Sequence, residues 1–238
     1  QVLIAHGVDD DSQMRAKALR LQSQLRLLLD WQQQWQQQEL VLHLRIGDTS
    51  LCLQQLAQHY GVSRIVVRDV QQSLLNEGWL LLHGKAGMQV PGFSAAEAEE
   101  LCLLRLQLEP LALQLAAANI SFSRLGQAED LLASIDAGTT LPAYQRGELN
   151  WQFHRLLYQD CAKPHLLRLL DQLHQQVSRY LGYQEQALAY ASTSATEHRE
   201  LISLLRGGNT SAACELLISH ISSASQLLVQ YLQKNKAP

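Results

Sequence analysis

Apolar positions recur at three- and four-residue intervals along most of this chain, and Gly, Pro and Ser/Thr clusters separate the periodic stretches. Residues 1–12 lack periodicity, end in Asp9-Asp10-Asp11 and read as a tail. From Ser12 to about Leu44 the stripe Leu21, Leu25, Leu28 and Leu29 predicts a helix, continued by Trp31 and Trp35, four apart on one face. The glutamines between 31 and 39 read as the solvated side of that helix, the alternative being an adhesive low-complexity segment. After a turn at Gly47-Asp48 the pattern predicts a short helix over 53–60, a turn at Gly61-Val62 and a longer helix from Ser63 to Asn76, closed by Gly78. Trp79 to Val90 then reads as strand, turn and strand, with Pro91-Gly92 a plausible linker. The remainder reads as helices at about 95–118, 121–136, 141–161, 164–190, 195–206 and 210–234. The expected fold is mainly α: an N-terminal winged helix-turn-helix with a small two-stranded wing in 1–92, and an all-α antiparallel bundle in 93–238.

The helix-turn-helix reading rests on spacing. Ala57 is small where a second helix must approach, Gly61 can take the left-handed conformation that ends the first helix, and Ser63 can cap the second. Val67, Val70 and Leu74 fall on one face of that second helix and point inward; Arg64, Arg68 and Gln71 are assigned to another, aimed at a major groove. Arg can grip guanine bidentately and Gln can do so for adenine. A helical hairpin with solvated arginines is the plainer alternative, and the Gly78 stop and the wing favour the DNA-binding one.

Composition narrows the class. Among 238 residues Leu and Gln number 48 and 30, which favours helix over strand. Arg105, Gln107 and Glu109 interrupt the richest apolar stretch, so no membrane span is expected. Cys52, Cys102, Cys161 and Cys214 have no CxxC spacing, and the N-terminus has no secretory pattern; both suit the cytoplasm. Residues 1–92 carry eight Lys/Arg and eight Asp/Glu, so a single DNA-binding unit is neutral, and dimerisation through the second half is what would recover affinity.

That second half holds a candidate site. Asn150 and His154 are four apart and stack on one helical face, with His198 and His220 on later helices. A bundle can converge such groups, and three imidazoles with one oxygen suit a divalent ion such as Zn, Ni or Mn. The plainer reading makes each a packed core histidine; His43, His59, His165 and His174 are left there.

Two resemblances bear on these readings. Gly61-Val-Ser-Arg-Ile-Val-Val-Arg-Asp69, then Leu74-Leu-Asn-Glu-Gly-Trp79, resembles the winged helix of GntR-family transcription regulators, and the wing Trp79 to Lys85 is similar to that of the fatty-acid-responsive branch. The likeness, over about 42–91, implies that Arg64, Arg68, His83 and Gly84 contact DNA and that Ser63 and Ile65 lie near phosphates. Val66, Asp69 and Gln54 depart from the usual proline, glutamate and arginine. From about 95 to 225, Arg105 and Glu109-Pro110, Asn150-Trp-Gln-Phe-His154, Glu197-His198 and His220 resemble the FCD ligand-binding domain of the FadR-type subfamily. That resemblance implies Asn150, His154, His198 and His220 as metal ligands and Arg105 as the partner of a carboxylate effector. Asn150 replaces the usual aspartate, which leaves the full charge of the ion for an anionic ligand to neutralise; a salt bridge to Glu109 is the alternative role for Arg105.

The expected protein is a homodimeric repressor on a double-stranded, palindromic operator, not an enzyme, controlled by a small sugar acid or organic acid bound at the metal. The alternatives are a regulator that senses the ion itself, a binding protein that has lost DNA affinity, and a metal-dependent hydrolase. The hydrolase needs a base, and Glu197 points about 100° from its neighbour His198 on a helix.

Overall fold

The computed structural model describes residues 16, 19, 57–58, 61–76, 78, 80–82, 88–89, 92–137, 143–187 and 191–234. The chain divides into two compact units, Gln1–Gly92 and Phe93–Pro238.

In the first unit the turn between helices is built as its residues require. Gly61 adopts φ +61°, and the N–H groups of Gly61 and Val62 bond back to the carbonyls of Gln58 and Ala57, closing the preceding helical turn. Ser63 Oγ accepts from the Val66 N–H at 3.3 Å and caps α1, Arg64–Asn76. Val67, Val70 and Leu74 are buried, and Gly78 (φ +78°) ends the helix with Leu80 N–H on the Leu74 carbonyl. The antiparallel pair β1 (Leu81–Leu82) and β2 (Met88–Gln89) follows, with Leu81 opposite Gln89 and Leu82 opposite Met88. The Gln-rich segment 31–39, expected to be helical, and the wing tip with His83 and Gly84 lie outside the described residues.

The second unit comprises α2 (Ala95–Ala117), α3 (Phe122–Ala137), α4 (Ala143–Tyr158), a 3₁₀ turn (Gln159–Cys161), α5 (Pro164–Ala187), α6 (Ala191–Arg206) and α7 (Thr210–Lys234). Ser94 caps α2 by accepting from the Glu97 N–H. The Tyr180 hydroxyl accepts from Ser94 N–H and donates to Glu97, tying that helix start to α5. The expected helix over 141–161 ends earlier, because the chain tightens into the 3₁₀ turn and Ala162 turns left-handed. Ser192-Thr193-Ser194, expected to punctuate, lie within α6, with Ser194 buried.

Layers form where α4 packs on α5, α2 on α7 and α5, and α6 on α3 and α7, around a core that includes Leu113, Phe153, Leu157, Leu170, Leu201 and Leu217. By length and composition α7 could cross a membrane, a property the short apolar runs did not suggest; its Ala213, Leu217, Ile221, Ala224 and Leu228 line this core instead. The α4–α5 contact depends on Gly147: a Cβ there would lie 2.1 Å from the Ser178 carbonyl oxygen and 2.7 Å from its carbon. Backbone cannot yield as a side chain does, so Gly147→Ala must separate the helices. The expected cost is about 1–3 kcal/mol, read as a thermal midpoint lowered by roughly 2–4 °C per kcal/mol in circular dichroism.

Candidate functional site

Three imidazoles meet inside the second unit. His154 comes from α4, His198 from α6 and His220 from α7, all buried, and one nitrogen from each lies within 4.8 Å of the others. Ring centroids are 5.0 Å apart for His154–His198, 5.6 Å for His154–His220 and 4.8 Å for His198–His220. Asn150, one helical turn before His154, is also buried, and its Oδ1 has no hydrogen-bond partner. Neither do His154 Nε2 and His198 Nε2.

The surrounding bonds assign the protons. Tyr158 O–H donates to Glu109 Oε2 at 2.8 Å, so its oxygen accepts from His154 Nδ1–H at 3.0 Å and the Nε2 lone pair is left over. His220 Nδ1 lies 2.6 Å from Glu197 Oε2 and donates to that carboxylate, which leaves Nε2 as the lone-pair nitrogen of His220. A carboxylate behind a histidine is the usual support of a metal-binding imidazole. Orphaned lone pairs on two imidazoles, a third imidazole so supported and an amide oxygen fit a borderline divalent cation. Glu197, the base considered for a hydrolase, is engaged with His220.

Glu109 is the hub beside this cluster. Its Oε1 accepts from Arg105 Nε at 2.5 Å and from His174 Nε2 at 3.0 Å, while Oε2 takes the Tyr158 hydroxyl. The salt-bridge reading of Arg105 is therefore realised, yet Arg105 Nη2 remains buried with no partner. His174 stacks on Trp151 with centroids 3.9 Å apart, and its Nδ1 is likewise unpartnered. Burial alone would raise the Glu109 carboxyl, but Arg105 and His174 outweigh it and hold it well below the usual range. Burial would lower the Arg105 guanidinium, and Glu109 reverses that. Burial, aided by the neighbouring imidazoles, pushes His154 and His198 well below the ordinary histidine value despite the pull of Glu109; burial also lowers His174. Burial thus favours the neutral form of His154, His198 and His174, and the neutral form is the one in which His154 and His198 can ligate.

A pH dependence follows for the chelated protein. In the unfolded chain these histidines ionise near pH 6.5, whereas folded they resist protonation to lower pH. The unfolded state therefore binds more protons below that point, and stability falls as pH drops from 6.5, by up to about 1.4 kcal/mol per histidine per pH unit. Glu109 adds nothing in this window, since its depressed carboxyl stays ionised in both states. Thermal midpoints from pH 7.5 to 5.5 should be flat at first and then decline.

Spacing pointed to Asn150 and His154 and the resemblance to Arg105, and Glu197 was weighed only as a hydrolase base; Tyr158, His174 and the hub role of Glu109 escaped both. Tyr158 is four residues from His154 and could have been found by helical periodicity; His174 lies 65 residues from Glu109 and carries no local mark. In the first unit Arg64 and Arg68 are exposed on α1, as are Ser63 and Ile65, the last 71% exposed. Gln71 departs from the outward face expected of it: four residues after Val67 and three before Leu74, it shares the inward face and is 7% exposed.

Comparisons with known proteins agree with this architecture. A family model for the FCD domain matches residues 100–223. The HTH-type transcriptional regulator YdhC of Bacillus subtilis is 28% identical over 198 residues, 81% of this chain and 84% of its own. The crystal structure of a GntR-family transcriptional regulator from Pseudomonas syringae pv. tomato has 27% identity and a TM-score of 0.52 over 77% of this chain and 78% of that one. Escherichia coli McbR/YncC shares the fold at a TM-score of 0.65 with 20% identity, over 92% of this chain and 99% of its own.

Proposed function

The chain belongs to the FCD family and is a transcriptional regulator of the GntR type, and from that premise we propose a homodimeric cytoplasmic repressor released from a palindromic operator by a small carboxylate. Its relatives are regulators rather than enzymes. The observation that carries the proposal is a convergence: among the described residues, the buried side-chain atoms lacking a partner are Arg105 Nη2, Asn150 Oδ1, His154 Nε2, His174 Nδ1 and His198 Nε2, all in one neighbourhood. Buried polar atoms are seldom left unpaired, so this set fits a ligand. Asn150, His154, His198 and His220 would hold a divalent ion (Zn, Ni or Mn), which supplies positive charge for a carboxylate; Arg105 offers that carboxylate a second donor. Arg64 and Arg68 would meet the operator, with Ser63 and Ile65 at its backbone and His83 and Gly84 at the wing tip. To act as a signal the acid must bind the DNA-competent and released states unequally.

Thermal unfolding and operator binding with a panel of organic acids, metal-loaded and chelated, test this. One acid should raise the midpoint, weaken operator binding and lose both effects on chelation; Arg68→Ala should weaken the operator by about 1–3 kcal/mol. The neutral amide of Asn150, a weaker ligand than a carboxylate, favours one other reading, in which an exchangeable ion is itself the signal. Operator binding that tracks free metal with no acid present would select it.

A further inference from the structure

Beyond the histidines, Arg105 also lines a small cavity between α2, α5 and α7, with a volume of about 20 Å³. Its apolar walls are Ala98 and Leu101 of α2, Val177 of α5 and Leu228 of α7, and Cys102, Tyr180 and Ser225 complete the lining. Leu101 and Ala98 are one and two helical turns toward the start of α2, whereas Glu109 is one turn toward its end. Arg105 is thus a junction, with Nε committed to Glu109 and Nη2 buried and unpartnered.

Resting on the reading that Arg105 receives an acidic effector, we propose that this effector is a short-chain monocarboxylate whose unsubstituted hydrocarbon tail fills that cavity. A carboxylate at Nη2 gives the guanidinium the partner it lacks, and the rest of the molecule then runs toward Leu101 and Ala98. The walls there are methyl and isobutyl groups and the Cys102 thiol, a weak hydrogen-bonding group, with few groups to satisfy a hydroxylated tail. Ser225 contributes one hydroxyl, and that of Tyr180 already serves Ser94 and Glu97. Hydroxyls of a sugar acid would be buried without partners, which is costly. A void of this size accepts about one or two water-sized groups, so the tail is about one or two carbons long.

The test uses the full chain loaded with Zn and titrates acetate, propionate, butyrate, hexanoate, lactate and gluconate by calorimetry. Affinity should rise about fourfold from acetate to propionate and level off from butyrate to hexanoate, with lactate at least tenfold weaker than propionate. In Val177→Ala, which enlarges the cavity and keeps Arg105 and the histidines, the plateau should move to longer acids. Lactate or gluconate binding more tightly than the unsubstituted acids would overturn the apolar subsite while leaving the carboxylate effector standing. A length preference unchanged in Val177→Ala would overturn its location. If none of the acids binds the metal-loaded protein, the effector reading itself falls, and this inference with it.

Discussion

Glu109→Ala should destabilise the helical unit by about 3–5 kcal/mol, the largest effect expected of any single substitution at the site. The carboxylate is fully buried and receives three donors, from Arg105, His174 and Tyr158. Truncating it leaves a guanidinium, 5% exposed, without its counter-charge, and two further buried donors without an acceptor. The midpoint should drop by roughly 2–4 °C per kcal/mol for a chain of this size. Packing loss alone is a competing cause, and the double variant Arg105→Met with Glu109→Leu separates the two. An apolar pair of similar volume often replaces a buried ion pair at little cost, so the double variant should recover much of the loss. A double variant as unstable as Glu109→Ala would show that the site tolerates no apolar substitute and that the stranded charge is not the main cause of the loss.

Much of the fold was legible because local chemistry and long-range packing ask for the same thing. Gly61 and Gly78 occupy left-handed positions at helix ends, Ser63 and Ser94 cap the helices after them, and Pro164 opens α5. Each is a local signal with a local mechanism. Errors fall where two assignments compete over a single helix face. Gln71 was assigned outward for its chemistry although its spacing from Val67 and Leu74 places it inward, and the backbone period prevailed. Polar residues at 192–194 suggested a break, but the helix runs through them. The histidine cluster was half legible: Asn150 and His154 share a face by spacing, whereas His198 and His220 stand as candidates on later helices with no spacing to join them, and their convergence is a product of tertiary packing. Nothing along the chain could mark His174, whose role exists only because α5 lies against α2 and α4.

Zn added to the chelated protein should raise its midpoint by about 5–10 °C when free metal exceeds the dissociation constant a hundredfold. Binding to the folded state alone then contributes about 2.7 kcal/mol, and the conversion is roughly 2–4 °C per kcal/mol. His154→Ala and His198→Ala should each abolish the rise, because each removes a buried nitrogen that has no other partner. Two further variants separate ligation from mere packing. Tyr158→Phe keeps the ring but removes the hydroxyl that fixes the His154 tautomer, so metal affinity should fall about 10–100-fold with the histidines intact. Asn150→Asp exchanges a neutral oxygen for a charged one and should tighten metal binding while reducing the positive charge left for a carboxylate. If Asn150→Asp binds Zn no better than the parent, Asn150 does not face the ion; if Zn leaves the parent's midpoint unmoved, the three histidines are a packed core and the effector must be held by Arg105 alone.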